Sequence, residues 1–312
     1  MGALTDKECA EVVERMRRSH ETFRNGKWLD TPRLVSIETF ARCNAACDFC
    51  PYTTLDRVGQ RLPTETVLRL IDELATFSPK PRQLVLTRVN EPFLDKRLFD
   101  FMRYAAEKLP PTKLVLFTNG QALTDDIIDR LNAVPTFERL SISFNEHLKK
   151  RYERVMKISY PLTRRRLDNL HRRAEAGELR FEVSLSRVGS STQADLDYLD
   201  WCRLHYPLFP AQSYARFAWI GREDEKVRVP APDSGCNQWF SLNILANGMD
   251  AFCCIDGFGR SRSIEEHSLK ELYNDPMKRQ LRERLTSRLE VPGCRDCPHG
   301  MPSLATRIAG AA

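Results

Sequence analysis

No apolar run in this chain approaches the roughly 18–20 residues that a bilayer span requires. Its first residues, Met1 to Glu8, carry acids and no apolar core, so they lack the features of a secretory signal. The expected location is the cytoplasm, with no membrane partner. No repeat of fixed period and no low-complexity tract is present, which argues against a solenoid or a disordered linker. An excess of one charge is missing too: 48 basic side chains face 42 acidic ones. The densest basic stretch, Arg164-Arg165-Arg166 with Arg172-Arg173, has helical spacing and no interleaved aromatics. It reads as a solvated helix face, and no nucleic-acid partner is expected. What remains, 42% hydrophobic and 29% charged over 312 residues, suits one large α/β domain with a small appendage.

Cysteine is abundant, with ten residues. In a chain without a secretory signal, clustered cysteines point to metal binding before disulfides. Cys43-x3-Cys47-x2-Cys50 sits in a loop after an expected strand, Leu34–Glu38. Three thiolates can hold three irons of a 4Fe–4S cube and leave the fourth iron open to a chelating cofactor. The competing readings are a zinc knuckle, which wants a fourth ligand, and cysteines packed as small hydrophobes. No histidine lies near this loop. Four more cysteines, Cys236, Cys253, Cys294 and Cys297, lie late in the chain. Cys9, Cys202 and Cys254 are left over.

Periodicity divides the chain in three. Residues 1–30 form an N-terminal helical extension, with a helix from Glu8 to Phe23. Over residues 31–226, strands Gln83–Thr87, Lys113–Phe117, Leu140–Phe144 and Phe181–Leu185 alternate with helices Thr64–Thr76, Lys96–Lys108, Asp125–Ala133, Thr163–Ala176 and Thr192–His205. Strict alternation implies parallel βαβ units in a closed or partial barrel, with ligand chemistry at the carboxyl ends of the strands. A proline-punctuated linker, Arg228 to Gly235, then opens a smaller unit over residues 227–312. There Asn247-Gly248 signals a type I′ hairpin between Ser241–Leu245 and Met249–Phe252, followed by a helix from Ser268 to about Leu285. This unit is too small for a core of its own, and a metal staple would supply what the core cannot.

The first cysteine loop, with Phe49 in the aromatic place before Cys50, resembles the C-x3-C-x-Φ-C signature of the radical S-adenosylmethionine (SAM) superfamily. Three further segments follow in the family's order. Arg88-Val89-Asn90-Glu91-Pro92 is similar to G-G-E-P without its glycines, Leu116 to Gly120 ends in the Thr-Asn-Gly motif, and Ser141 to Asn145 is similar to the next strand end. The resemblance implies a partial (β/α)6 radical SAM barrel whose open iron binds SAM. It assigns SAM contacts to Phe49, Glu91 (the amino group), Asn119, Ser143, Ser184 and Arg187 (the carboxylate). Cys236, Gly248-x4-Cys253 and Cys294-x2-Cys297 resemble the shortened "twitch" form of the SPASM-type auxiliary domain. That implies a second 4Fe–4S cluster; a zinc ribbon fits the same spacing. Cys253 and Cys254 could exchange roles, and glycine spacing nominates Cys253 as the ligand. Cys254 is then either a packed core cysteine or a thiol donating a hydrogen atom to a substrate radical.

The short stretch before the first strand implies a small-molecule substrate. In length and in its paired cysteines the chain resembles the family's aminoglycoside-tailoring epimerases, of the kind that converts neomycin C to neomycin B, and the resemblance implies an amino sugar or aminocyclitol substrate. Glu38, Glu182, Asp250 and Asp256 are the carboxylates available to such a cation. The alternatives are a dehydrogenase making a ketone and a peptide-modifying SPASM-type maturase. An external electron donor such as ferredoxin or flavodoxin is implied in each. Outside this family, the competing readings are an iron–sulfur electron carrier and a zinc-stapled binding module.

Overall fold

The computed structural model describes residues 6–190, 193–215, 219, 231–259 and 262–301. The first part of the expected linker (228–230) and Thr192 lie outside them.

Helix α1 (Asp6–Arg24) precedes β1 (Leu34–Ile37). There follow α2 (Thr64–Ala75), β2 (Gln83–Val85), α3 (Leu98–Lys108), β3 (Lys113–Thr118), α4 (Asp125–Asn132) and β4 (Phe137–Ser143). Next come α5 (Lys149–Met156), α6 (Tyr160–Glu175), β5 (Glu182–Val188), α7 (Gln193–His205) and β6 (Ala211–Tyr214). The helices form where the sequence supplies a stripe and a cap. In α2, Val67, Leu70, Ile71 and Leu74 recur at helical spacing and are buried. Thr124 and Ser159 cap α4 and α6 by accepting the amides of Ile127 and Leu162.

Two elements were missed in the sequence. Helix α5 is short and mostly charged, burying only Tyr152 and Met156. Strand β6 reads Ala-Gln-Ser-Tyr and has no apolar run, because it is an edge strand held by pairing with β5.

The sheet has the order β6-β5-β4-β3-β2-β1-β7-β8, and every pair except the last is parallel. Among the described residues β6 and β8 are its edges, so the barrel is open. Strand β7 (Ser241–Ile244) pairs along the whole of β1, from Leu34↔Ser241 to Ile37↔Ile244. The late cysteines are thereby attached directly to the sheet that carries the first cysteine loop. Among the described residues a small separate apolar cluster, Cys236, Trp239, Phe240 and Leu281, lies in the late segment, with Phe23 and Trp28 packed against it.

Two local expectations are corrected. The β7–β8 (Asp250–Ala251) connection is not a type I′ turn, because Gly248 has φ +79° whereas Asn247 is not among the positive-φ residues. Leu245 accepts the Gly248 amide and donates to Met249, a three-residue loop closed by a left-handed glycine. The single helix expected from Ser268 is two, α8 (Leu269–Tyr273) and α9 (Pro276–Arg284). Pro276 cannot continue a helix but suits a first turn, and Asp275 caps α9 through the amides of Met277 and Lys278.

Side chains alternate across the sheet. Val35, Ile37, Leu84, Leu86, Leu114, Leu116, Leu140, Ile142 and Leu185 face the helices in one core. The other face carries Ser36, Thr87, Ser141, Ser143, Ser184, Ser186 and Asn243 beside Val85, Val115 and Phe117. Parallel sheets covered on both sides are usually apolar on both; a hydroxyl-rich inner face marks a lining for a polar ligand. A cavity of about 820 Å³ lies along β3–β6 on this face, lined in part by Phe117, Arg139, Ser141, Glu182, Ser184 and Gln212.

Candidate active site

Backbone ties fix the loop after β1 across the carboxyl ends of the strands. Ala41 donates to Gln60 O and accepts from Gly59, Glu91 donates to Arg42 O, and Asp48 donates to Val155 O in α5. Cys50 donates its amide to Cys47 O, so the last two cysteines share one turn. Asn119 Nδ2 donates to Asn44 Oδ1 at 2.7 Å, pinning the loop to the end of β3. Cys43, Cys47, Cys50, Glu91 and Asn119 are thus gathered at one place.

The three thiols are half-buried and unlinked by disulfides. Burial, and their own proximity, push Cys43 up to about 11 and Cys47 higher still. Such a set ionises only when a cationic core neutralises it, which is what an iron–sulfur cluster supplies. Cys47 Sγ also lies 3.5 Å from Met156 Sδ. Phe49 packs on the core, and its carbonyl accepts Trp219 Nε1–H at 2.8 Å.

Glu91 is 3% exposed and accepts from Thr118 Oγ1 at 2.7 Å and the Asn119 amide at 2.8 Å. No cation pairs with it among the described residues. Burial therefore raises its pKa to about 7, against the opposing effect of those donors. A buried carboxyl held this way is suited to receive an ammonium group.

The remaining expected SAM contacts divide. Ser143 ends β4 on the inner face. Ser184 is mid-strand, since β5 runs on to Val188, and register places it level with Ser141; the residue level with Ser143 is Ser186. Arg187 is on the other face of β5, against α7. It lies 3.2 Å from Asp195 and 3.9 Å from Glu146, donates to Ala194 O, and stacks over Tyr198. Asn145 joins strand ends, accepting the Val188 amide at 2.8 Å.

The second cysteine set closes round a small space lined by Cys236, Cys253, Cys254, Cys294 and Cys297 with Arg288, Trp239 and His299. Burial is the largest cause of the raised pKa of Cys253, and of Cys294 and Cys297, each pushed up to about 11. Neighbouring thiols raise them further: Cys254, Cys236 and Cys297 act on Cys253, Cys236 and Cys297 on Cys294, and Cys236 and Cys254 on Cys297. The Cys254 thiol, pushed up to about 11 by burial, meets His299 Nδ1 at 3.7 Å. Cys202 is buried in α7, away from both sets.

Three of the four carboxylates expected to face a cationic substrate are sequestered. Glu38 and Arg57 form a wholly buried ion pair at 2.6 Å, and Glu38 also accepts the amides of Val89 and Ala246. Asp250 holds Lys278 at 2.8 Å, and Asp256 accepts the amides of Phe252, Phe258 and Gly259. Only Glu182 faces the cavity.

Sequence reasoning also passed over two arginines. Arg88, just ahead of the two residues that stand in the motif's glycine places, reaches from the loop after β2 to Asn243 Oδ1 at 2.9 Å, Cys253 O at 3.0 Å and Asp256 O at 2.9 Å. Arg288 is bonded to both arms of the second cysteine set. Nothing in the local sequence signals either arginine.

Residues 37–187 match the radical SAM superfamily model, and residues 236–298 match SPASM, an iron–sulfur cluster-binding domain. The AdoMet-dependent heme synthase of Methanosarcina barkeri is 32% identical over 117 residues, 37% of this chain. The match spans only 32% of that protein's length. Among solved structures, BtrN in complex with AdoMet and 2-DOIA has TM-score 0.54 at 15% identity, covering 80% of this chain and 87% of that one. Streptococcus suis SuiB has TM-score 0.61 at 14% identity, covering 90% and 75%. anSMEcpe with bound AdoMet and a peptide has TM-score 0.60 at 12% identity, covering 85% and 87%. At these identities the likeness is one of fold.

Proposed function

Since the chain belongs to the radical SAM superfamily and carries a SPASM domain, with 4Fe–4S clusters and SAM as its cofactors, we propose that it is an epimerase that inverts one carbon of an amino sugar or aminocyclitol. Cys43, Cys47 and Cys50 hold the SAM-binding cluster; Cys236, Cys253, Cys294 and Cys297 hold the auxiliary one. When bound, cluster and SAM supply a 5′-deoxyadenosyl radical that removes a hydrogen atom from the substrate.

The protein's own part is to place and complete that event. Glu91 receives the SAM amino group, and Asn119, Ser143 and Ser186 border the cofactor's other polar groups. Ser186 takes the place expected of Ser184, because it is level with Ser143. Arg187 braces α7 through Asp195 and is withdrawn from the SAM carboxylate. The hydroxyls along the inner face offer hydrogen bonds to a polyhydroxylated ligand without demanding charge.

The observation that carries the epimerase reading is Cys254. Cys253 and Cys254 both line the space of the second set; the Gly248-x4-Cys253 spacing supports Cys253 as the ligand and leaves Cys254, 3.7 Å from His299 Nδ1, with a transferable hydrogen. The Cys254 S–H bond breaks as a C–H bond forms on the opposite face of the substrate radical. The thiyl left behind is restored by one electron from an external ferredoxin- or flavodoxin-type donor and one proton from water. A dehydrogenase would give Cys254 no task.

The test is anaerobic incubation with SAM, reductant and candidate aminoglycosides. Equimolar 5′-deoxyadenosine and a product of unchanged mass are expected. A product lighter by two hydrogens would transfer the case to a dehydrogenase, and turnover of peptides alone would make the enzyme a maturase.

A further inference from the structure

Arg288 is 1% exposed, yet its guanidinium donates only to backbone carbonyls: His299 at 2.7 Å, Gly235 at 3.0 Å, and Ser234 and Cys297 at 3.4 Å. Among the described residues no carboxylate lies within ion-pair distance of it. Arg88 is similar. Its partners are the Asn243 amide oxygen and two carbonyls, and its Nε is buried without a partner. A guanidinium taken out of water without an anion costs several kcal/mol. Two such groups in one region mean that the region receives negative charge.

Their bonds show where. Arg288 holds the segments on which Cys236 and Cys297 stand, and Arg88 holds the loop from Cys253 to Asp256. Arg288 also lines the small space enclosed by Cys236, Cys253, Cys254, Cys294 and Cys297. The first cysteine set has the opposite setting, since the buried group joined to its loop, through Asn119 and Asn44, is the Glu91 carboxyl.

We infer that Arg288 and Arg88 are counter-charges built in for the auxiliary cluster, and that they hold its reduction potential above that of the cluster on Cys43, Cys47 and Cys50. This rests on the assignment of the four late cysteines made above. A cluster on four thiolates is anionic and gains a further negative charge on reduction. Fixed cations in a low-dielectric surround favour that reduced form, whereas a buried carboxylate opposes it. The auxiliary cluster then fills with electrons first and is too weak a reductant to cleave SAM, which confines cleavage to the first site.

The experiment is an EPR-monitored redox titration of the anaerobically reconstituted protein, with iron counted in each sample. In a background with Cys43, Cys47 and Cys50 replaced by Ala, only the auxiliary signal remains. Arg88→Met and Arg288→Met remove the charge; Arg88→Lys and Arg288→Lys keep it. The Met variants are expected to shift the midpoint to lower potential, or to lose the cluster's iron, while the Lys variants stay close to the parent. Equal behaviour of Met and Lys variants would overturn the inference, as would a wild-type auxiliary midpoint below that of the first cluster. A background holding no iron would instead remove the cysteine assignment, and the inference with it.

Discussion

Replacing Glu91 by Gln should strengthen the fold and weaken the cofactor site at once. The carboxyl is buried with two donors and no cation, and its pKa stands at about 7. Its folded-state pKa lies above the ordinary 4.5, so the protonated form is the one that the fold favours. No penalty exists well below pH 4.5; it grows as pH rises and is complete above about 7. At 1.36 kcal/mol per pH unit the penalty reaches roughly 3 kcal/mol. The neutral amide of Glu91→Gln can keep both contacts, accepting the Asn119 amide and donating to Thr118. The SAM-free variant should therefore unfold later than wild type at pH 8, by roughly 2–3 kcal/mol, and by less than about 1 kcal/mol at pH 5. In SAM binding the order reverses. Losing a charge-assisted bond to an ammonium group removes roughly 1.5–3 kcal/mol, about 10- to 150-fold in affinity. Denaturant unfolding at the two pH values and calorimetric titration with SAM read both effects. A variant no more stable than wild type at pH 8, with unchanged SAM affinity, would refute the reasoning.

Replacing Cys43, Cys47 and Cys50 together by Ala should leave about half the reconstituted iron and abolish 5′-deoxyadenosine formation; full iron retention would contradict the first site. Ser186→Ala should weaken SAM binding and Ser184→Ala should not, measured in the same titration, because only Ser186 is level with Ser143. Glu38→Ala should destabilise by about 3–5 kcal/mol in denaturant unfolding, since it strands the buried Arg57 guanidinium.

The barrel was legible because its helices carry regular apolar stripes and its strands alternate with them. Strand β6 and helix α5 were not, since pairing and packing hold them rather than pattern. The cysteine loop, Glu91 and Asn119 were legible as spacing and motif, and the fold brings them together. Roles that depend on which face a side chain takes were not. Arg187 is expected at the SAM carboxylate, and β5 turns it toward Asp195; Ser184 is expected near a strand end, and β5 runs on to Val188. Glu38, Asp250 and Asp256 looked available because sequence does not show that Arg57, Lys278 and three backbone amides already occupy them. Attachment of β7 to β1 joins residues more than two hundred positions apart, beyond the reach of local pattern.

The central claim is that a hydrogen atom is taken from a substrate carbon and one is returned from Cys254. Turnover in deuterated water measures it most directly, because a thiol hydrogen exchanges with solvent before transfer. The wild-type product should carry one deuterium at the inverted carbon. Cys254→Ala should keep its iron and still form 5′-deoxyadenosine while giving no inverted product. An inverted product without solvent deuterium, or full activity in the Cys254→Ala enzyme, would contradict the account.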